Sequence, residues 1–168
     1  KDLAELTEVA SAAGVTAIPT PDLRWGRCDI KTVGLLPNAL ARQAAKEAGA
    51  AEAILVDAQG FITEGAATNV FIVDGSGALR TRDLSNALLH GITRAAVIKV
   101  AEEAQLRLVE APFTVAEAHA AREVFLTSAG MAATAVIAID GKAIGEGKPG
   151  PVALKLRAAY LEGALAAA

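Results

Sequence analysis

Two periods of apolar residues alternate along the chain and predict its elements. Helical spacing, with Gly or Pro at the ends, predicts helices over residues 2–14, 37–49, 91–105 and 150–168, and a short one over 115–121. Short apolar runs bounded by turn residues predict strands over 52–57, 61–65, 107–113, 123–129 and 134–140, and a hairpin over 69–81. Helices and hairpins therefore interleave without a regular βαβ repeat.

Two further segments complete the predicted order. Residues 14–25, GVTAIPTPDLRW, alternate small and β-branched residues around two prolines, which is typical of an edge strand or an extended segment. Residues 141–147, GKAIGEG, are predicted to be a turn region. With 168 residues and no internal repeat or linker, the chain is expected to form one mixed α/β domain of α+β type.

Composition narrows the possible functions. The sequence has 16 Lys plus Arg against 19 Asp plus Glu and only 4% aromatic residues, which argues against nucleic-acid binding. Its apolar runs are shorter than the roughly 20 residues that cross a bilayer, so we expect a cytoplasmic location and no membrane partner. Cys28 has no second cysteine to pair with, and His90 and His119 lack a ligand pattern, so no metal site is predicted.

Four stretches carry candidate chemistry, and each also has a plain structural interpretation. Lys31 follows an expected strand end and precedes an apolar run, where burial would favour its neutral, nucleophilic form; otherwise it is an ordinary surface lysine. Glu64 ends a strand among small residues, as a functional or a turn carboxylate does. The glycine-led helix start at Ile92 and Thr93 suits a phosphate, although most helix starts bind nothing. The small-residue loop containing Ala129 and Gly130 either approaches an anion or merely connects two strands.

The order and spacing of these stretches resemble a known family. The stretches are RCDIKT, ITEGAATNVF, HGITR, EVFLTSAG and IDGKAIGEGKPGP. Together, from about Gly14 to Leu161, they resemble the pyridoxal-phosphate enzymes of fold type IV, which include the D-amino-acid and branched-chain aminotransferases. RWGRCDIKTVGLLPNALARQAAKEAGAAEAIL is similar to the D-amino-acid enzymes almost throughout. Branched-chain enzymes usually carry an aromatic residue shortly after the lysine, where this chain has Leu35 and Leu36.

The resemblance implies a role for each candidate residue toward pyridoxal 5'-phosphate. Lys31 would link covalently to the cofactor and later move the proton, and Glu64 would partner the pyridine nitrogen. Leu89 would pack against the ring, while Ile92 and Thr93 would bind the phosphate. Ala129 and Gly130 would form the second phosphate-side loop, in which relatives often have threonine at the place of Ala129. These seven residues are the predicted site.

The implied reaction is amino transfer between a D-amino acid, such as D-alanine or a D-glutamate-like donor, and a 2-oxo acid. Alternatives within the family are aminodeoxychorismate lyase, a branched-chain aminotransferase or an (R)-selective amine transaminase. An alternative of another class is a cofactor-free binding or assembly module that keeps the motifs as scaffold.

Domain organisation also follows from the resemblance. Residues 1–168 are expected to be the large, C-terminal domain of the D-amino-acid aminotransferase-like fold. The smaller N-terminal domain of the family, which supplies a phosphate-binding arginine and the residues that grip the substrate carboxylate, is expected to be absent from this chain. A homodimer is the expected assembly.

Overall fold

The computed structural model describes residues 13–166. In this range the strands are β1 (Val15–Pro21), β2 (Glu52–Val56), β3 (Ile62–Gly65), β4 (Asn69–Val73), β5 (Leu79–Thr81), β6 (Leu108–Glu110), β7 (Glu123–Ser128), β8 (Met131–Ile139) and β9 (Lys142–Ala143). The helices are α1 (Leu36–Glu47), α2 (Ile92–Glu103), α3 (Val115–Ala120) and α4 (Pro151–Ala166). The helix expected over residues 2–14 falls almost wholly outside the described residues. The other predicted elements are confirmed in type, and most of their ends agree within three residues.

All nine strands of the described range join one mixed sheet. Their order is β3–β2–β1–β8–β7–β4–β5–β6, and β9 pairs with β8. The pairs β1–β2, β1–β8 and β5–β6 are parallel, and the remaining pairs are antiparallel. Helices α1 and α2 connect parallel neighbours, so the fold contains two βαβ crossovers separated by hairpins. The predicted mixed α/β class is confirmed.

The position of strand β1 differs from the expected edge of the sheet. Its two prolines suggested an edge, yet β1 lies in the sheet between β2 and β8. The pairing with β8 covers only Val15 to Ala17, whereas the pairing with β2 runs on to Pro21. Pro19 therefore lies where β1 has a neighbour on one side only. A proline lacks the N–H that a second neighbour would need, so the second half of β1 behaves as a local edge.

The segment expected to be only a turn region holds a short strand. Lys142 and Ala143 form β9, which folds back on Ile139 and Ala138 at the end of β8. The turn between them places Asp140 and Gly141 at positive φ angles. Two paired residues are too few to leave an alternating apolar pattern, which explains why the sequence did not indicate them.

Both faces of the sheet are buried. Along β4, alternate side chains join different clusters: Val70 and Ile72 point to one face, and Phe71 and Val73 to the other. On the second face Phe71 stacks on Phe125 of β7, with ring centroids 4.9 Å apart. Helices α2 and α4 cover this face, and α1 packs on β2 through a smaller cluster. This core fixes the strand ends from which the candidate site is built.

No helix in the described range combines the length and the apolar character that crossing a bilayer requires.

Candidate active site

One cleft of about 580 Å³ collects residues from four parts of the chain. They come from the long loop between β1 and α1 together with the first turn of α1, from the end of β3 and its connection to β4, from the start of α2 and the segment that leads into it, and from the end of β7. The residues used below are Arg24, Cys28, Lys31, Glu64, Asn69, Leu89, His90, Ile92, Thr93, Thr127 and Ala129. The cleft thus brings together six of the seven predicted site residues. Gly130 is exposed and is not among the residues that line it.

Glu64 lies on β3 and is 5% exposed. Its carboxylate accepts hydrogen bonds from the backbone N–H of Leu89, at 3.1 Å to each oxygen, and from Nδ2 of Asn69, at 3.0 Å. Asn69 also donates to the carbonyl oxygen of Leu89, at 2.9 Å. The carboxylate is therefore held in one orientation by the neighbouring strand and by the loop that leads into α2.

Arg24 supplies the charge beside this carboxylate. Its Nη1 donates to Oε1 of Glu64, while Nε and Nη2 bind the two oxygens of Asp22, at 2.8 and 2.7 Å. Nη2 also donates to the carbonyl oxygen of Ala87, at 2.9 Å. The Arg24 side chain is 7% exposed. A guanidinium removed from water to this degree needs such partners, because an unpaired buried charge is very costly.

The electrostatics of the cluster follow from burial and from Arg24. Burial raises the pKa of Glu64 above its ordinary value, and the charge and hydrogen bond of Arg24 oppose that rise without cancelling it. Burial also tends to raise the pKa of Asp22, but the hydrogen bonds from Arg24 and Thr63 outweigh this effect, so the pKa of Asp22 is lowered. Two carboxylates thus share one guanidinium, so the ionised cluster keeps one uncompensated negative charge at the cleft.

Lys31 lies on the cleft wall but differs from its predicted setting. Strand β1 ends at Pro21, and Lys31 follows ten positions later in the loop before α1 rather than at a strand end. The side chain is exposed, and its neighbours Ile30 and Val33 are 43% and 99% exposed. The expected buried lysine is therefore wrong for the described chain. The apolar residues after Lys31, which suggested burial, are themselves exposed and do not shield the lysine from solvent.

The start of α2 contributes an open helix end. Gly91 is the N-cap, and no side chain caps this helix. A Cβ at Gly91 would lie 2.2 Å from Oδ1 of Asn69, so the close approach of Asn69 requires glycine there. Thr93 is 3% exposed, whereas Ile92 is 83% exposed at the mouth. The first N–H groups of a helix carry a partial positive charge, which favours an anion at this end of the cleft.

The end of β7 adds an unpaired hydroxyl. Thr127 is 1% exposed, and its Oγ1 has no hydrogen-bond partner in the described chain. Ala129, which follows on the same wall, has no hydroxyl and is exposed. A buried hydroxyl without a partner is uncommon in folded proteins.

Sequence reasoning missed Arg24 and Asn69. Asn69 had a weak local signal, because it lies in the same stretch as Glu64, five residues later. Arg24 stands forty residues before Glu64, and the two meet only because β2 lies between β1 and β3. Its one local signal is the spacing of Asp22 and Arg24 just after β1, which suits an ion pair.

Comparisons with known proteins identify the family of the chain. The model of the family described as amino-transferase class IV matches residues 5–139. D-alanine aminotransferase from Bacillus licheniformis is 41% identical over 146 residues, which are 87% of this chain and 51% of that protein. The enzyme of the same name from Staphylococcus aureus (strain N315) is 37% identical over 147 residues, 88% of this chain and 51% of that protein.

Solved structures of aminotransferases are also similar to this chain. The branched-chain aminotransferase from the archaeon Thermoproteus uzoniensis, with norvaline, has a TM-score of 0.80 and 32% identity and covers 90% of this chain and 51% of its own. The branched-chain enzyme from Thermobaculum terrenum in its PLP form has a TM-score of 0.83 and 28% identity, with 93% and 52% covered. The chain spans about half the length of the relatives it matches. Since the family model matches well over half of its residues, the chain belongs to the class IV aminotransferases.

Proposed function

We propose that the protein is a pyridoxal-phosphate-dependent aminotransferase that moves an amino group between a D-amino acid and a 2-oxo acid. The observation that carries the proposal is one cleft with three complementary groups: the amine of Lys31, the buried carboxylate of Glu64 and the open start of α2. An amine suits a carbonyl, a carboxylate suits a protonated ring nitrogen, and a helix start suits a phosphate.

The residues present fit this cofactor. The uncapped N–H groups at Ile92 and Thr93 would hold the phosphate, and Leu89 would lie against the ring. The buried Oγ1 of Thr127 lacks a partner in the described chain and lines the same cleft, so it is available to a polar group there. The uncompensated negative charge of the Arg24, Asp22 and Glu64 cluster suits a cationic ring nitrogen.

The cofactor would supply a conjugated, protonated ring that accepts the electron pair released at the substrate carbon. Lys31, exposed on the wall, is free to hold the cofactor and then to carry a proton as a general base. Glu64 keeps its carboxylate aimed by the Leu89 N–H and by Asn69, so the charge at the ring nitrogen needs no rearrangement during turnover.

Reduction with borohydride, followed by peptide mapping of the full-length protein, tests the assignment of Lys31. We expect the cofactor label on Lys31. Lys46 on α1 and Lys142 on β9 are exposed lysines elsewhere in the fold and serve as internal controls. A label on either of these residues would overturn the assignment.

The donor amino acid is the finer part of the proposal. The relatives compared by sequence are named D-alanine aminotransferases, whereas the solved structures are named branched-chain enzymes. We favour a D-amino acid, with a branched-chain L-amino acid as the second candidate because of the structural match. Single-turnover conversion of the bound cofactor with D-alanine and with L-leucine separates the two. Conversion by D-alanine alone is the expected result, and conversion by L-leucine alone would favour the second candidate.

The assembly belongs to the same proposal. We take residues 1–168 as the cofactor-binding domain of the protein, which acts as a homodimer. Exposed apolar side chains follow Lys31 along the sequence, among them Val33, Leu36 and Leu40, at 99%, 70% and 59% exposure. Exposed apolar clusters of this kind mark interaction surfaces. Sedimentation equilibrium of the full-length protein checks the dimer, and a monomer at micromolar concentration would contradict it.

A further inference from the structure

Arg24 is a buried charged residue to which the reaction as proposed assigns no step. Arg24 lies near the start of the loop between β1 and α1, which also carries Lys31. Its guanidinium extends to Glu64 near the end of β3. There it contacts Asp22, Glu64 and the carbonyl oxygen of Ala87. One side chain thus ties the Lys31 loop, the Glu64 strand and the segment before α2 together.

The two carboxylates use different parts of the guanidinium. Asp22 takes Nε and Nη2 in a two-pronged pair, whereas Glu64 takes only Nη1. Asp22 also accepts a hydrogen bond from Thr63, at 2.7 Å, next to Glu64 on β3. The planar fork of arginine can serve both partners in one plane, which an ammonium cannot do. The pair with Asp22 therefore fixes the direction in which Nη1 presents its charge to Glu64.

We infer that Arg24 is a positioning residue, which keeps the Glu64 carboxylate charged and correctly aimed at the cleft by means of a guanidinium anchored on Asp22. The inference rests on the proposed function, in which that carboxylate partners the ring nitrogen. Without the guanidinium, burial would drive Glu64 toward its neutral form, and a neutral acid cannot hold a cationic ring nitrogen.

The other charged groups near Glu64 do not replace Arg24. Asp22 is negative and raises the pKa of Glu64. Cys28, Lys31 and His90 line the same cleft, but none of them is in hydrogen-bond contact with Glu64 in the described chain. The remaining partners of the carboxylate, Asn69 and the Leu89 N–H, are neutral donors.

The test measures the ionisation of Glu64 directly in the full-length protein without cofactor. Isotope-edited infrared spectroscopy with ¹³C-labelled glutamate follows the carboxyl band against pH, and Glu64→Gln identifies that band. We expect the titration midpoint of Glu64 to rise by about one pH unit or more in Arg24→Met. Arg24→Lys keeps a charge without the fork and should fall between Arg24→Met and wild type.

Arg27→Met is the matched control. Arg27 lies three residues later and pairs with Asp29, but its side chain is 51% exposed. This variant should leave the Glu64 band at the wild-type midpoint. A second readout is the response of turnover in the cofactor-loaded protein. The kcat of Arg24→Lys should fall at least several-fold, with little change in KM for the amino donor.

A Glu64 midpoint in Arg24→Lys equal to that of wild type would overturn the inference, even where Arg24→Met fails to fold. The infrared result does not depend on the cofactor. It therefore stays interpretable if the borohydride label misses Lys31, which would overturn the proposed function but not the ionic role of Arg24.

Discussion

Two helices of this fold, α4 and α2, start beside a buried glutamate. The glutamate binds the first N–H groups of α4, but it does not bind those of α2. At α4, the carboxylate of Glu123 accepts hydrogen bonds from the N–H groups of Val152 and Ala153, at 3.0 and 2.9 Å. At α2, Glu64 binds the N–H of Leu89, three residues before the helix, and leaves the helix start itself without a side-chain cap. Each helix follows a glycine against which a polar side chain packs, Asn69 at Gly91 and Glu123 at Gly150.

The two helix starts differ in whether a carboxylate of the protein already binds their N–H groups. The positive end of α4 is neutralised by an anion of the protein, and that end is closed. The start of α2 lines the cleft, and the nearby carboxylate of Glu64 is bound instead by Arg24, by Asn69 and by the N–H of Leu89. The same pair of features, a helix start and a buried glutamate, therefore stabilises α4 and, in the function proposed above, leaves the start of α2 for the cofactor phosphate.

The largest expected effect is on turnover, at the open site. Glu64→Gln in the full-length protein should slow the half-reaction with the amino donor by roughly ten- to a thousandfold. This is the effect of losing an electrostatic contact worth about 1.4–4 kcal/mol. Single-turnover absorbance of the bound cofactor measures the rate. The cofactor should still attach to Lys31, because the lysine does not touch Glu64 in the described chain. An unchanged rate would show that Glu64 is not the ring's partner.

The second prediction concerns the closed site and should affect stability instead. Glu123→Ala removes the acceptor of two buried N–H groups, which should lower the free energy of unfolding by about 1.5–3 kcal/mol. Chemical denaturation measures it. Glu123→Gln retains one acceptor oxygen and is the matched control, with a smaller loss. Turnover per folded molecule should stay within about twofold of wild type, and a loss as large as that of Glu64→Gln would erase the distinction between the two helix starts.

The third prediction sharpens the role of the open helix start. Thr93→Val keeps the shape of the side chain but removes its hydroxyl, which in the function proposed above would donate a hydrogen bond to the cofactor phosphate. Affinity for pyridoxal phosphate should fall about two- to tenfold, the equivalent of about 0.5–1.5 kcal/mol. Fluorescence titration of the cofactor-free protein measures it. Thr93→Ser retains the hydroxyl and should bind like wild type. A deficit that is as large for pyridoxal, which has no phosphate, would contradict the contact.

The sequence was informative where structure depends on near neighbours. The period of α1, the hairpin of β4 and β5 and the glycine before α2 are local patterns, and all three elements were predicted correctly. The position of β1 was not readable, because it depends on pairing with β8, more than one hundred residues away. The prolines of β1 indicated that part of the strand lacks a neighbour on one side. They gave no indication that β8 pairs with its first half.

The candidate site divides in the same way. Glu64 and Thr93 lie in motifs with their own local signals, Leu89 was predicted from the family resemblance, and the cleft contains all three. The pairing of Glu64 with Arg24 could not be predicted from the sequence, because Arg24 contacts Glu64 only across the sheet. The predicted burial of Lys31 failed because an apolar run does not reveal which surface it faces. Tertiary partners thus decide the charge and exposure of groups whose identity the sequence already indicates.

The smallest expected effect belongs to a third buried glutamate, which stands at no helix start and makes no ion pair within residues 13–166. Glu52 on β2 is 4% exposed and accepts hydrogen bonds from the N–H of Ala53, at 2.9 Å, and from Oγ1 of Thr68, at 3.2 Å. In the described chain no lysine or arginine makes an ion pair with it. Burial raises its pKa above the ordinary value of 4.5, and the two hydrogen bonds only oppose this rise.

The raised pKa fixes the sign of a pH effect. Between the unfolded and folded pKa values of Glu52, the folded state holds a proton that the unfolded state has released, so the free energy of unfolding falls as the pH rises through that window. Glu52→Gln removes this titration, so its stability relative to wild type should improve as pH rises from about 4.5 and should level off above the folded pKa of Glu52. Denaturation at a series of pH values measures the difference, and Glu102→Gln on the exposed face of α2 controls for the chemical change. A difference that stays constant or shrinks with rising pH would mean that Glu52 is held charged in the fold by a partner other than the two hydrogen-bond donors named above.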